Sequence, residues 1–174
     1  MLLMALASFA LVMVFPALVI FAAVRDATSF TIPNWISLAI VAAFLPAAAL
    51  LHLPLLTVLG ALGVGFAFLV AGMGMFALRW IGGGDAKLFA ACGLWLGWPA
   101  APAFLVWTAV AGGVLALALL SGRKWAGYYP GARPQWITRL VTPGGDIPYG
   151  LAIAAGALAA FPTSLLMHPP LQGL

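Results

Sequence analysis

Few residues in this chain can do chemistry. Its acidic residues number three, Asp26, Asp85 and Asp146, and there is no glutamate. Asp85 follows three glycines and precedes Lys87 and an apolar run, "GGGDAKLFA". Asp26 lies in "RDATSFTIPNWIS" and Asp146 in "TPGGDIPYG". Two carboxylates held close together cannot both ionise easily, so one member of such a pair keeps its proton. The ionised member can take a proton from water as that water attacks a peptide carbonyl, and the protonated member can polarise the carbonyl. Such a pair titrates as a unit, so neither microscopic role is assigned to either aspartate.

The elements that must position these groups follow from composition. The chain has 174 residues, 66% hydrophobic and 6% charged, with a mean hydropathy of +1.19. Soluble domains carry about 25% charge, and disordered chains are polar, so both classes are excluded. A multi-spanning membrane protein remains. Its formal net charge of +4 calls for no nucleic acid, because membrane proteins gather Lys and Arg on one side. The single cysteine, Cys92, excludes a disulfide framework and a CxxC zinc site, reads as a small packing residue, and no metal site is expected. The N-terminal run lacks a basic leader segment and is too long for a signal peptide, so it reads as a retained first span.

Charged residues divide the chain into uncharged blocks, each read at about 20 residues per crossing. Six helices are predicted, at about 2–24, 35–52, 55–77, 85–97, 101–120 and 149–167, as one polytopic domain over 1–174. Turns fall at "LHLP" and "GWPAAP", and a loop covers 121–148. An alternating apolar and polar pattern, as in a β-barrel, is missing. With six alternating crossings, Arg25, Arg79, Lys87, Arg123, Lys124, Arg133 and Arg139 all fall on one face. The positive-inside bias makes that face cytoplasmic and both termini periplasmic. All three aspartates then share the cytoplasmic side, and His52 and His168 lie on the outer face, away from them.

The fourth helix is short, about 13 residues or roughly 20 Å at 1.5 Å per residue. The hydrocarbon core is about 30 Å thick, so a Trp98 at the outer interface leaves Asp85 up to about 10 Å below the inner surface. Gly82, Gly83 and Gly84 suit irregular backbone there, permitting positive φ and close approach of another segment. Asp85 has two readings: an N-cap of the fourth helix, or an intramembrane carboxylate with a function. Lys87 either snorkels to the surface or biases the carboxylate charge. Pro33 breaks the chain and Asn34 is a good N-cap for the second helix. Trp95 and Trp98 read as belt residues, and Gly60, Gly63, Gly65, Gly72 and Gly74 as points of close helix packing. The loop from Ser121 to Pro148, with Trp125, Tyr128, Tyr129 and Trp136, reads as lying on the membrane surface with its basic groups near anionic lipid; the alternative is a direct substrate role, against which stands the loop's charge, which would repel a basic leader.

Three motifs, "D-x5-IPN" (Asp26 to Asn34), "GGGDAKL" (Gly82 to Leu88) and "IPYG" (Ile147 to Gly150), resemble those of the type IV prepilin peptidases, a group of GxGD aspartyl proteases. They occur in the family's order and span most of the chain. The resemblance implies that Asp26 and Asp85 are the catalytic pair and that prepilin leaders are cut at the cytoplasmic edge of the inner membrane, without a cofactor. It further implies that Pro33, Asn34, the three glycines, Lys87, Pro148, Tyr149 and Gly150 shape the site or meet substrate. Tyr149 is open to two readings, a groove wall or an interfacial anchor. Asp146 likewise reads as a turn or cap residue, or as a contact for a basic leader.

The chain looks most like the small branch serving Flp or tight-adherence pili, the CpaA/TadV type. Larger relatives carry an N-terminal four-cysteine segment linked to N-methylation, and no such cysteines occur here, so peptidase activity without that module is expected. The stretch "ATSFT" before IPN lacks the basic residues common in the family. Prepilin or pseudopilin, membrane lipid and the pilus assembly machinery are the expected partners. Two other classes compete: an inactive pilus-assembly membrane factor, and a small proton-coupled transporter, which would place its aspartates nearer mid-membrane.

Overall fold

The computed structural model describes residues 2–126 and 134–167. The fold is all-helical: six α-helices and no strand occur among the described residues. They are α1 (Leu2–Ser29), α2 (Asn34–Leu50), α3 (Leu55–Ala77), α4 (Gly83–Ala126), α5 (Gln135–Val141) and α6 (Tyr149–Ala160), with a single 3₁₀ turn at Phe161–Thr163. Three segments are long and apolar enough to cross a membrane, Leu6–Ser29, Leu55–Ala77 and Gly83–Trp125, while Asn34–Leu50 and Tyr149–Thr163 are shorter apolar helices. In hydrocarbon every backbone N–H and C=O must be paired within the segment, which helices achieve.

α4 is two arms rather than one rod. Gly97 interrupts it with φ 63° and ψ −173°, a left-handed conformation that favours glycine. The rings of Phe89 and Phe104 lie 5.2 Å apart, whereas a straight helix would separate those positions by roughly 22 Å. The chain therefore reverses at Gly97 and the arms pack antiparallel. Pro99 and Pro102 sit at the start of the second arm, where a missing N–H costs little. The second arm runs on to Ala126, and α5 forms within the segment expected as loop. Tyr128, Tyr129, Arg133 and His168 lie outside the described residues.

α1 continues past its expected end. The hydroxyls of Thr28 and Ser29 donate to the carbonyls of Val24 and Arg25 at 2.7 and 2.6 Å, and the Phe30 N–H donates to the Asp26 carbonyl at 2.8 Å. Phe30 then takes φ 54° and ends the helix. Asp26 is thus held on helical backbone, not on a loop.

The first arm of α4 runs through the centre of the bundle. Trp95 is fully buried, stacked on Phe15 at 5.1 Å and edge-on to Phe44 at 6.1 Å. Its indole N–H donates to the Ile40 carbonyl at 2.7 Å. This corrects the belt assignment: a ring whose one donor is satisfied inside the protein has no need of the interface. Trp98, beyond the Gly97 turn, is 77% exposed. The glycines of α3 also divide. A Cβ on Gly65 would stand 3.0 Å from Leu94 and one on Gly72 3.1 Å from Ala86, whereas Gly60, Gly63 and Gly74 have nothing within 4 Å. Only the first two bring α3 against α4, so the packing expected of the other three is absent. Cys92 is buried among apolar neighbours.

Candidate active site

Asp26 and Asp85 come from different helices and are 4% and 7% exposed. Asp26 sits near the end of α1 and Asp85 is the third residue of α4. Both line a cavity of about 330 Å³ reaching Tyr149, and both line a second of about 220 Å³ bounded by Thr31, Ile32 and the three glycines. The two carboxylates therefore share the lining of both cavities.

Each carboxylate is fixed by one glycine N–H. Gly82 donates to Asp85 Oδ2 at 3.0 Å, and the Gly82 carbonyl accepts from the Ala86 N–H at 3.1 Å. Asp85 therefore reaches back to the residue that precedes its helix, the acidic half of a capping box. It is the third residue inside the helix, so it is not the N-cap the sequence suggested. This bond uses Oδ2. Oδ1 of Asp85 is buried and has no hydrogen-bond partner, an arrangement that costs free energy unless a group arrives to meet it.

Asp26 is fixed from the other end of the chain. Pro148 is fully buried and precedes α6. The second residue of that helix, Gly150, donates its N–H to Asp26 Oδ2 at 2.7 Å. This N–H is one of the unpaired donors of a helix start, which favour a negative group. Gly150 must be glycine for space: a Cβ would stand 2.8 Å from Asp26 Oδ2 and 2.8 Å from Ile32 Cδ1.

Ile32 links the two halves. It is buried beside Gly150 and also packs on Gly84, where a Cβ would stand 3.0 Å from its Cβ and 3.1 Å from its carbonyl oxygen. One side chain thus spaces the start of α4 from the start of α6. Ile32 belongs to the same IPN motif as Pro33 and Asn34, but its aliphatic side chain carries no signal in the sequence that marks it as a site residue.

Other expected site residues behave differently. Pro33, with φ −59°, occupies the N-cap position of α2, and no side chain caps that helix. Asn34 is therefore not its N-cap. Its Oδ1 accepts from Lys87 Nζ at 2.8 Å instead. Lys87 is exposed, and neither it nor Asn34 lines either dyad cavity. Tyr149 lines the larger cavity and an apolar groove beside it. Asp146 lines the larger cavity as well.

Arg123 departs from the picture of a loop cation facing lipid. Its Nε donates to the Leu140 carbonyl, and its Nη2 to those of Gly145 and Asp146, each at 2.9 Å. It straps the end of α4 to the segment that leads into Pro148 and Gly150. Phe30, Phe76, Arg79 and Ile81 also wall the larger cavity, and sequence reasoning missed them as site residues. Arg79 and Phe30 have φ 60° and 54°, left-handed conformations costing on the order of 1–3 kcal/mol that cluster at functional sites.

A family model described as the type IV leader peptidase family matches residues 13–117, a stretch that includes both aspartates and the three glycines. The chain belongs to the type IV leader peptidase family. No curated protein and no solved structure matches it. As a member of this family the chain is a leader peptidase-like protease, a hydrolase, and its apolar helices make it a membrane protein. Pro148, Tyr149 and Gly150 fall outside the matched stretch, yet the fold returns Gly150 to Asp26.

Proposed function

We propose that this leader peptidase is an intramembrane aspartic endopeptidase with Asp26 and Asp85 as its catalytic pair. Its substrates are prepilins or pseudopilins of the Flp kind, as the joint pattern of D-x5-IPN, GGGDAKL and IPYG supports. One observation carries the reading. Two buried carboxylates open on the same cavities, each with an oxygen fixed by a glycine N–H, and Asp85 Oδ1 is left unpartnered.

The pair shares one proton. The ionised carboxylate takes a proton from water as the water oxygen bonds to the scissile carbonyl carbon. The protonated carboxylate gives its proton to the carbonyl oxygen. The tetrahedral intermediate then collapses, the C–N bond breaks, and a proton passes to the departing amine. No covalent enzyme adduct forms. Gly82 and Gly150 hold the pair, and Pro33, Gly83, Gly84, Pro148 and Tyr149 shape its surroundings, whereas Asn34 and Lys87 bond each other outside the dyad cavities.

The apolar helix of the substrate packs in the groove of about 400 Å³ beside Tyr149, along Ala109, Gly112 and Gly113. Small residues of this kind let helix backbones approach closely. Tyr149 and Ile81 line both this groove and the dyad cavity, so a helix seated there can present its leader junction to the aspartates. The enzyme sits in the bacterial inner membrane as one polytopic domain with both termini periplasmic and the dyad towards the cytoplasm. That orientation rests on the one-sided distribution of basic residues.

Co-expression with candidate prepilins tests the proposal. The wild-type chain shifts the pilin band to its processed form, and Asp26→Asn and Asp85→Asn each abolish the shift while the protein still accumulates in the membrane. Cleavage retained by either variant would overturn the assignment.

A further inference from the structure

A second, larger groove lies on the far side of the first arm of α4. It has a volume of about 650 Å³, with α2 and α3 as walls and α4 as floor. Lys87 follows Asp85 by two residues, so the two side chains leave the helix roughly 200° apart. The groove and the dyad cavities therefore flank opposite sides of one helix, and an occupant of the groove is remote from the reacting atoms.

Polarity along the groove is graded. Lys87 and Asn34 stand at one end, bonded at 2.8 Å. Asn34 Oδ1 is neutral, and among the described residues no carboxylate pairs with Lys87, which leaves an exposed cation uncompensated. One turn further along α2 is Ser37. It is 6% exposed, lines the groove, and its Oγ has no hydrogen-bond partner. Beyond it the lining is apolar on all three helices, with Val41, Phe66 and Leu94.

We propose that this groove is a binding site for one anionic glycerophospholipid. Its phosphate pairs with Lys87, an ester carbonyl accepts from the Ser37 hydroxyl, and one acyl chain lies along Val41, Phe66 and Leu94. The order of groups in the groove, cation, then hydroxyl, then hydrocarbon, follows the order of groups in such a lipid. Basic pockets between spanning helices bind anionic headgroups in this way. A polypeptide helix is less well matched, because this groove lies across α4 from the dyad.

The full chain in lipid nanodiscs supplies the test. The probes are phosphatidylglycerol and phosphatidylcholine carrying the same photoactivatable acyl chain, and labelled peptides are mapped by mass spectrometry. The expected result is labelling of residues 38–69 about fivefold stronger with phosphatidylglycerol, the effect of one basic residue at a charged headgroup. Lys87→Gln removes that preference, and Ser37→Ala lowers labelling by both lipids. Equal labelling by the two lipids, or a preference that survives Lys87→Gln, would mark the groove as bulk lipid contact and overturn the proposal. Loss of label when a prepilin transmembrane peptide is added would overturn it in favour of substrate. The readout is lipid labelling, so this outcome is independent of whether the aspartates cleave prepilins.

Discussion

The N–H of Gly150 donates to Asp26 Oδ2 at 2.7 Å, joining residues 124 positions apart in the chain. The start of α6 is thereby the partner of the end of α1, and the position of one carboxylate depends on a helix that begins far from it in sequence. Gly150→Ala would put a Cβ 2.9 Å from the Asp26 Cβ and 2.8 Å from Ile32 Cδ1. The expected outcome is a fall in prepilin cleavage of about 100-fold, the scale of an ångström-sized misplacement of a reacting group. Membrane yield stays near wild type. Band-shift kinetics on purified protein check it.

The three glycines before Asp85 are not equivalent, and alanine substitutions should rank them. Gly83 faces Phe76 at ordinary contact distance, 3.5 Å, so Gly83→Ala is expected to keep activity within about twofold, its helix propensity improving slightly. At Gly82 a Cβ would stand 3.1 Å from Asp85 Oδ2, which can shift, so the loss is intermediate. Gly84→Ala presses on the Ile32 backbone and is expected to be the most damaging. Cleavage rates of the three variants, measured side by side, decide the order.

Arg123 makes three carbonyl contacts through a planar fork that lysine cannot reproduce. Arg123→Lys is expected to loosen the segment from Leu140 to Asp146. Hydrogen exchange at residues 143–150 should quicken severalfold, and cleavage should fall with it. Unchanged exchange there would show that the strap is dispensable.

Gly97 is glycine for two separable reasons. Its φ of 63° with ψ of −173° costs a residue with a Cβ on the order of 1–3 kcal/mol, and that Cβ would also collide with Leu165. Gly97→Ala is expected to lower thermal stability in detergent. Adding Leu165→Ala should restore the part due to collision and leave the backbone part. Fluorescence-monitored melting of the single and double variants separates the two.

The legible parts of this molecule were those where its composition left few choices. With three acids in the chain, Asp26 and Asp85 stood out, and uncharged blocks gave the helical architecture. What escaped was written in residue types too common or too ambiguous to notice. Ile32 is one aliphatic residue among many, and only packing reveals that it spaces Gly84 from Gly150. Trp95 and Trp98 look alike in sequence, but the turn at Gly97 sends one inward and leaves the other exposed. Arg123 merges into a count of basic residues until its hydrogen bonds single it out. Asn34 has the composition of a cap, yet proline takes that place and frees the amide for Lys87.

The reversal at Gly97 has a bearing on how the chain is counted across a bilayer. A helix of 44 residues invites the tally of a single passage, which would leave Asp85 and Ala126 on opposite shores. Because the arms double back, both ends of that element come home to the same side, and Arg123 reaches the approach to α6 without traversing lipid. An accessibility reporter placed just after Ala126 would therefore read the compartment that the aspartates face, and an even number of passages separates the two.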